Sequence, residues 1–169
     1  MRITHAAKLA FALSAALTLA ACSSNKAADG AGGPGGAGLA GGGVATPGSA
    51  QDFVVNVGDR VFFETDSTDL TSTATATLDK QAAWLSQYPR YSITMEGHAD
   101  ERGTREYNFA LGARRAQAAR DYLATRGISA SRIKTISYGK ERPVAVCDDI
   151  SCWSQNRRAV TVLGGAAGM

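Results

Sequence analysis

The sequence predicts one α+β domain over residues 51–163. It is a two-layer α/β sandwich with element order β-α-β-α-β-β, both helices packed on one face of a mixed four-stranded sheet. Three observations predict it. Short apolar runs, one of them with period two, alternate with two longer stretches of helical period. Pro89, Thr104 and Gly127 fall where those stretches begin or end. The segment is also long enough to bury a core of its own.

Val61-Phe62-Phe63 forms a short apolar first strand. Leu78, Ala82 and Leu85 recur at i, i+4 and i+7 in a helix from about Ser72 to Gln87, and Pro89 lies just past its end. Tyr91, Ile93 and Met95 alternate with Ser92, Thr94 and Glu96, the pattern of a half-buried strand. Thr104 is the N-cap, and Gly127 the C′ residue, of a helix over about 105–126. Lys134 to Tyr138 is the third strand, with Ile136 and Tyr138 on one face, and Ala159 to Leu163 is the last. Gly164 to Met169 is a tail of small residues.

The chemistry concentrates in residues 98–116. Asp100 sits where a strand ends, and Asn108, Leu111 and Arg115 share one face of the following helix at i, i+3 and i+7. An acid facing an arginine across a loop–helix corner suits a ligand carrying both an amine and a carboxylate. The guanidinium grips the carboxylate in a bidentate fork, and the aspartate takes the ammonium. The same two residues could instead form a structural ion pair. No nucleophile stands beside a base, so His98 reads as a structural histidine at a strand end.

The order of motifs resembles the OmpA-like (outer-membrane-protein-A-like), peptidoglycan-binding domain family across residues 52–163. The carrying motifs are Gly97-His98-Ala99-Asp100-Glu101-Arg102-Gly103-Thr104, Tyr107-Asn108, Leu111-Gly112 and Arg114-Arg115-Ala116. Ser137-Tyr138-Gly139-Lys140-Glu141-Arg142-Pro143 and Asn156-Arg157-Arg158-Ala159-Val160 complete them. Thr65 and Ser67 depart from the pattern, which more often has an apolar residue and a lysine there. The resemblance implies non-covalent binding of peptidoglycan through the free end of a stem-peptide diaminopimelate. It gives Asp100 and Arg115 the ammonium and the carboxylate, Thr104 and Asn108 further hydrogen bonds, and Leu111 the apolar floor. Phe63 and Asp66 close the pocket. It also implies work with the Tol system, whose periplasmic β-propeller competes for an overlapping surface, and support of envelope constriction at division.

Arg2 and Lys8 precede a 13-residue apolar run, Leu9 to Ala21. A bilayer core of ~30 Å needs about 20 residues, so the run reads as a signal peptide over residues 1–21. Leu19-Ala20-Ala21-Cys22 resembles the lipobox of bacterial lipoproteins, with cleavage before Cys22 and acyl chains on that residue. Ser23, rather than an aspartate, follows the cysteine, which by resemblance to enterobacterial sorting favours the outer membrane. Residues 22–50 then form the lipidated cysteine and a flexible linker; ten of the 28 residues from Ser23 to Ala50 are glycine, too little apolar surface to offset ordering. As a coil that linker spans roughly 30 Å. Residues 51–169 carry the domain and its short tail.

Net charge is +3, and +1 once Arg2 and Lys8 leave with the signal, so nothing calls for nucleic acid. With Cys22 lipidated, Cys147 and Cys152 remain, and in an oxidising periplasm they read as a disulfide. A metal site using them with His98 lacks a fourth ligand, and no cofactor is called for. Arg102, Arg105, Arg114 and Arg120 read as solvated or salt-bridged, Arg157 and Arg158 as pins for the last strand, and Trp84 and Trp153 as packing residues. The function expected is therefore a lipid-anchored wall binder and not an enzyme. An adhesive or receptor-like lipoprotein without a wall ligand is the alternative.

Overall fold

A computed structural model of the chain describes residues 45–165. The signal peptide, Cys22, most of the linker and the end of the tail lie outside the described residues. The described chain begins on α1 (Ala50–Asp52), which runs on through one π-turn, Phe53–Val57. β1 (Arg60–Phe62), α2 (Ser72–Gln87), β2 (Ile93–His98) and α3 (Arg105–Thr125) follow. A 3₁₀ turn, Ala130–Arg132, leads into β3 (Ile133–Gly139), and α4 (Ile150–Asn156) precedes β4 (Arg158–Leu163).

The sheet has strand order β1-β4-β2-β3. β4 runs antiparallel to both β1 and β2, while β2 and β3 are parallel, with α3 as their crossover. The expected mixed four-stranded α+β sandwich is the observed one. The caps follow their chemistry: Thr71 accepts from the Ala74 N–H, and Thr104 from the Tyr107 N–H. Gly127, at φ +90°, ends α3 as the Ile128 N–H reaches back to the Leu123 carbonyl. Phe53, Leu78, Leu85, Ile93, Met95 and Leu123 fill the layer between helices and sheet.

Three expectations change. The linker was read to run through Ala50, but Gly48 is buried against the domain and Ser49 caps α1. The Gly48 carbonyl accepts from Arg90 Nη2 (2.7 Å) and the Tyr91 hydroxyl (2.9 Å), and the Asp52 carboxylate accepts from the indole of Trp84 (2.8 Å). Those partners lie far along the chain, where local composition gives no hint of them. α4 was not expected, because seven residues carry under two turns of period; the Asp149 side chain caps it at the Ser151 N–H. β1 starts one residue earlier than expected, although the Phe63 N–H still donates to the Arg157 carbonyl (2.9 Å).

One close approach sets up everything that follows. A Cβ on Gly97 would lie 1.8 Å from the Gly112 carbonyl oxygen. Only two glycines let α3 lie this near β2. The first turns of α3 are thereby brought over the end of β2, where the chain leaves the sheet through Ala99 and Asp100.

Candidate functional site

Asn108 and Arg115 are among the most deeply buried side chains of α3. Asn108 ties the loop before the helix to the helix itself: Nδ2 donates to the carbonyls of Arg102 (2.6 Å) and Thr104 (3.1 Å). Lys140 braces the same loop from β3's far end, donating to the carbonyls of Glu101 (3.0 Å) and Gly103 (2.6 Å).

Arg115 is 0% exposed. Its Nε donates to the Ser67 carbonyl (2.9 Å), Nη1 to that of His98 (3.0 Å) and Nη2 to that of Glu64 (3.1 Å). The guanidinium also lies 5.3 Å from the centre of the Phe63 ring. It thus pins the loop after β1 to the end of β2. All three partners are neutral, and no carboxylate comes within ion-pair distance among the described residues. Burial, and then the nearby Arg157 charge, pull its pKa down to about 10, against the opposing pull of Asp100 and Asp66. Three of its five N–H groups are used, which leaves donors and an uncompensated positive charge.

Asp100 is buried and richly partnered. Arg102 donates to it from its backbone N–H (3.2 Å), Nε (3.1 Å) and Nη2 (2.7 Å), and Arg157 Nη1 adds a fourth contact at 3.4 Å. Burial pushes the carboxyl upward. The hydrogen bonds and charge of Arg102, helped by Arg157, outweigh this and hold it below the usual aspartate value. Asp100 and Arg115 do not pair with each other, so the structural ion pair weighed from the sequence is not formed.

Asp66, Asp100, Asn108, Leu111 and Arg115 line one cavity of about 260 Å³. Five of the seven predicted ligand-binding residues are therefore brought together. The other two stand behind the wall: Thr104 spends its hydroxyl on the helix cap, and Phe63 lies buried beneath Arg115. Thr65, on the wall where the sequence departs from the family pattern, completes the lining with Arg102, Gly103 and Tyr107, and sequence reasoning gave these last three no ligand role. Arg102, read as solvated or salt-bridged, is indeed salt-bridged, and its partner is Asp100, two residues away. Asp66 takes φ 55°, a left-handed conformation that aspartate tolerates, and no hydrogen bond among the described residues engages its carboxylate. The cavity thus presents two acids and two guanidiniums, charges matched to a zwitterion.

A larger cavity of about 650 Å³ lies on the other side of α3, beside Phe109 and Tyr138. Its Arg105 and Glu141 pair with each other at 3.1 Å, which leaves the exposed Glu106 as its unpaired charge and no unpaired guanidinium among its lining residues. His98 is 2% exposed, stacks on Tyr138 (5.5 Å between centroids), and neither ring nitrogen has a hydrogen-bond partner among the described residues. Burial first, then Arg158, Arg142 and Arg60, lower its pKa to about 4. It is a neutral structural residue whose carbonyl, not its ring, serves the site. Arg158 donates to the carbonyls of Asn156 and Arg142, and Arg157 to that of Phe63, so the pair does hold the last strand in place. Cys147 and Cys152 form a disulfide joining the β3–β4 connection to α4.

The OmpA family matches residues 62–157 of the chain. A peptidoglycan-associated lipoprotein of Agrobacterium fabrum is 68% identical over 155 residues, covering 92% of this chain and 86% of that one. One from Brucella melitensis is 62% identical over 159 residues, covering 94% and 92%. The crystal structure of the peptidoglycan-associated lipoprotein from Burkholderia pseudomallei superposes with a TM-score of 0.61 at 40% identity, covering 63% of this chain and 90% of that one. The C-terminal domain of Helicobacter pylori MotB shares the fold, with a TM-score of 0.60 at 22% identity, covering 64% of this chain and 86% of that one. With these motifs, this sheet order and these relatives together, the chain belongs to the OmpA family, in its branch of peptidoglycan-associated lipoproteins.

Proposed function

We propose that this protein binds peptidoglycan non-covalently, holding the diaminopimelate of a stem peptide in the cavity between the loop after β1 and the start of α3. Arg115 carries the reading. A fully buried guanidinium with only neutral carbonyl partners is a standing site for an anion, and a ligand carboxylate supplies what the protein does not. The ammonium goes to the acidic wall, where Asp66 is uncommitted and Asp100 becomes available as Arg102 swings outward. Asn108 and Leu111 complete the wall and floor, and Thr104 and Phe63 hold them in place.

In this reading residues 1–21 are a signal peptide. Cys22 carries the lipid that anchors the chain to the outer membrane, the glycine-rich linker spans to the wall, and the domain works in the periplasm. The protein is a binder, not an enzyme. As part of a Tol-Pal system, with the periplasmic β-propeller as partner, it ties membrane to wall in envelope integrity and division. Calorimetric titration with a diaminopimelate stem peptide, against a lysine-stem control, tests the central claim. The lysine stem lacks the second carboxylate, leaves Arg115 unpaired, and binds more weakly by about 2–3 kcal/mol. Equal binding of the two stems sinks the reading.

A further inference from the structure

Arg157 connects the cavity to a second concavity. Its guanidinium, on a residue only 4% exposed, gives Nη1 to the Asp100 carboxylate and Nε to the Phe63 carbonyl. The same side chain also lines a groove of about 450 Å³ on the far side of the Phe63-Glu64 backbone. That volume falls within the range of about 300–1,000 Å³ typical of small-ligand clefts. One guanidinium therefore touches an acid of the first space and lines the second.

The groove differs in character from the charged cavity. Phe62 (47% exposed) and Ile150 (60% exposed) supply an apolar wall. Ser154, Gln155 and Thr71 supply hydroxyl and amide groups. Gln155 Nε2 is engaged by the Ser151 carbonyl, so its amide oxygen is left to accept. Thr71 accepts from the Ala74 N–H and keeps its own hydroxyl proton to give. A half-exposed aromatic ring flanked by hydroxyl and amide groups, with the Glu64 carboxylate and the Arg157 guanidinium on the same lining, matches a ligand with one apolar C–H face and a rim of hydroxyl and amide groups. That is the chemistry of an N-acetylated aminosugar.

We infer that this groove is a saccharide subsite, linked to the stem-peptide cavity through the Arg157–Asp100 contact, that takes the muramyl end of the same ligand. The inference rests on the reading of the cavity given above. In peptidoglycan two residues separate diaminopimelate from the muramyl lactyl group, on the order of 7 Å of extended chain. That length carries a ligand from Asp100 across Arg157 into the groove. Phe62 stacks on the sugar ring, the Gln155 oxygen accepts from the acetamido N–H or a hydroxyl, and Arg157 donates to the lactyl carbonyl at the boundary.

The test compares two ligands on the purified full-length protein by calorimetry. One is the diaminopimelate tripeptide alone, and the other is the same tripeptide on its N-acetylglucosaminyl–muramyl disaccharide. The disaccharide form should bind about fivefold to tenfold tighter. Phe62→Ala and Gln155→Ala should each reduce that advantage to below twofold while tripeptide affinity stays within twofold of wild type. Both side chains are exposed, and circular dichroism checks the fold. Equal affinity of the two ligands for wild type overturns the saccharide subsite alone. An advantage that survives in both variants does the same. Failure of the tripeptide to bind wild type overturns the stem-peptide reading, and this one with it; failure of the disaccharide form alone overturns only the saccharide subsite.

Discussion

Arg102 lies across Asp100 like a clasp. Its Nε and Nη2 meet the two carboxylate oxygens at 3.1 and 2.7 Å, and its guanidinium rests over the Trp153 ring, 4.2 Å from the centroid. Trp153 is itself held by its indole N–H on the Glu101 carboxylate. The acid that the sequence assigns to a ligand ammonium is thus occupied by a side chain of the protein. Because Arg102 is substantially exposed, solvent screens the ion pair, and a well-placed ligand can displace it.

Loss of the clasp should be visible in the titration of Asp100. Arg102→Ala removes two of its four hydrogen-bond contacts, keeps the backbone N–H contact and leaves burial less opposed, so the Asp100 pKa should rise. Carboxyl-detected NMR over an acid titration reads this directly. An unchanged Asp100 would mean that Arg157 and the residue-102 backbone N–H together set its charge.

Arg115 should prove to be structural as well as ligand-binding. Arg115→Ala strips three backbone carbonyls of their donor and empties a buried volume, with an expected loss of about 3 kcal/mol in unfolding stability. Arg115→Lys keeps the charge but cannot span three carbonyls in a plane, and should recover only part of the loss. Urea denaturation measures both. A stability change under 1 kcal/mol in Arg115→Ala would show that the loop after β1 does not depend on it.

Asp66 offers the cleaner probe of the ligand. Asp66→Asn keeps the shape and tolerates φ 55°, so the fold should hold within about 0.5 kcal/mol. Stem-peptide affinity should nonetheless fall about tenfold as a charge contact is lost. Asp66→Val should instead destabilise the loop, since a β-branched residue is strained there. Wild-type affinity in a folded Asp66→Asn would remove this residue from the site.

His98 predicts an acid-sensitive fold. Its folded pKa of about 4 lies below the ordinary 6.5, so the unfolded chain takes up a proton that the native chain refuses. Stability is therefore intact above about pH 6.5 and falls as pH drops toward 4, by roughly 3 kcal/mol in all. Arg158, Arg142 and Arg60 make a charged ring still less welcome. Unfolding free energies at pH 7 and pH 4.5 should differ clearly for wild type and much less for His98→Leu; a slope that persists in that variant would assign the effect elsewhere.

Reduction of the Cys147–Cys152 disulfide should be tolerated. The closed loop is short, so chain entropy accounts for about 2 kcal/mol. Asn156 independently holds the same loop, accepting from the Val144 (2.8 Å) and Ala145 (3.2 Å) N–H groups and donating to the Ala145 carbonyl (2.8 Å). Thermal melts with and without reductant should differ by several degrees with one cooperative transition retained.

Local signals carried most of the fold. The spacing of Leu78, Ala82 and Leu85, the alternation through Ile93 and Met95, and the caps at Thr104 and Gly127 all depend on near neighbours, and each helix and strand they predicted is present. The face shared by Asn108, Leu111 and Arg115 was equally legible, because helical geometry alone sets it. What escaped was short or non-local. α4 spans too few turns to show a period, and the docking of Gly48 depends on Arg90 and Tyr91.

The division is the same at the site. The sequence by itself determined which charged residues would stand near one another, since Asp100 and Arg115 are separated by a loop and less than four helical turns. Only the tertiary structure decided what each of them touches. Arg115 meets carbonyls delivered by a loop some fifty residues earlier, Asp100 is claimed by Arg102 and by Arg157 from the last strand's edge, and Asp66 is left uncommitted. Residue type specifies what a side chain can bond to. Which partner it finds can be local, as for Asp100 and Arg102, or can depend on chain segments that come together only when the core closes, as for Arg115.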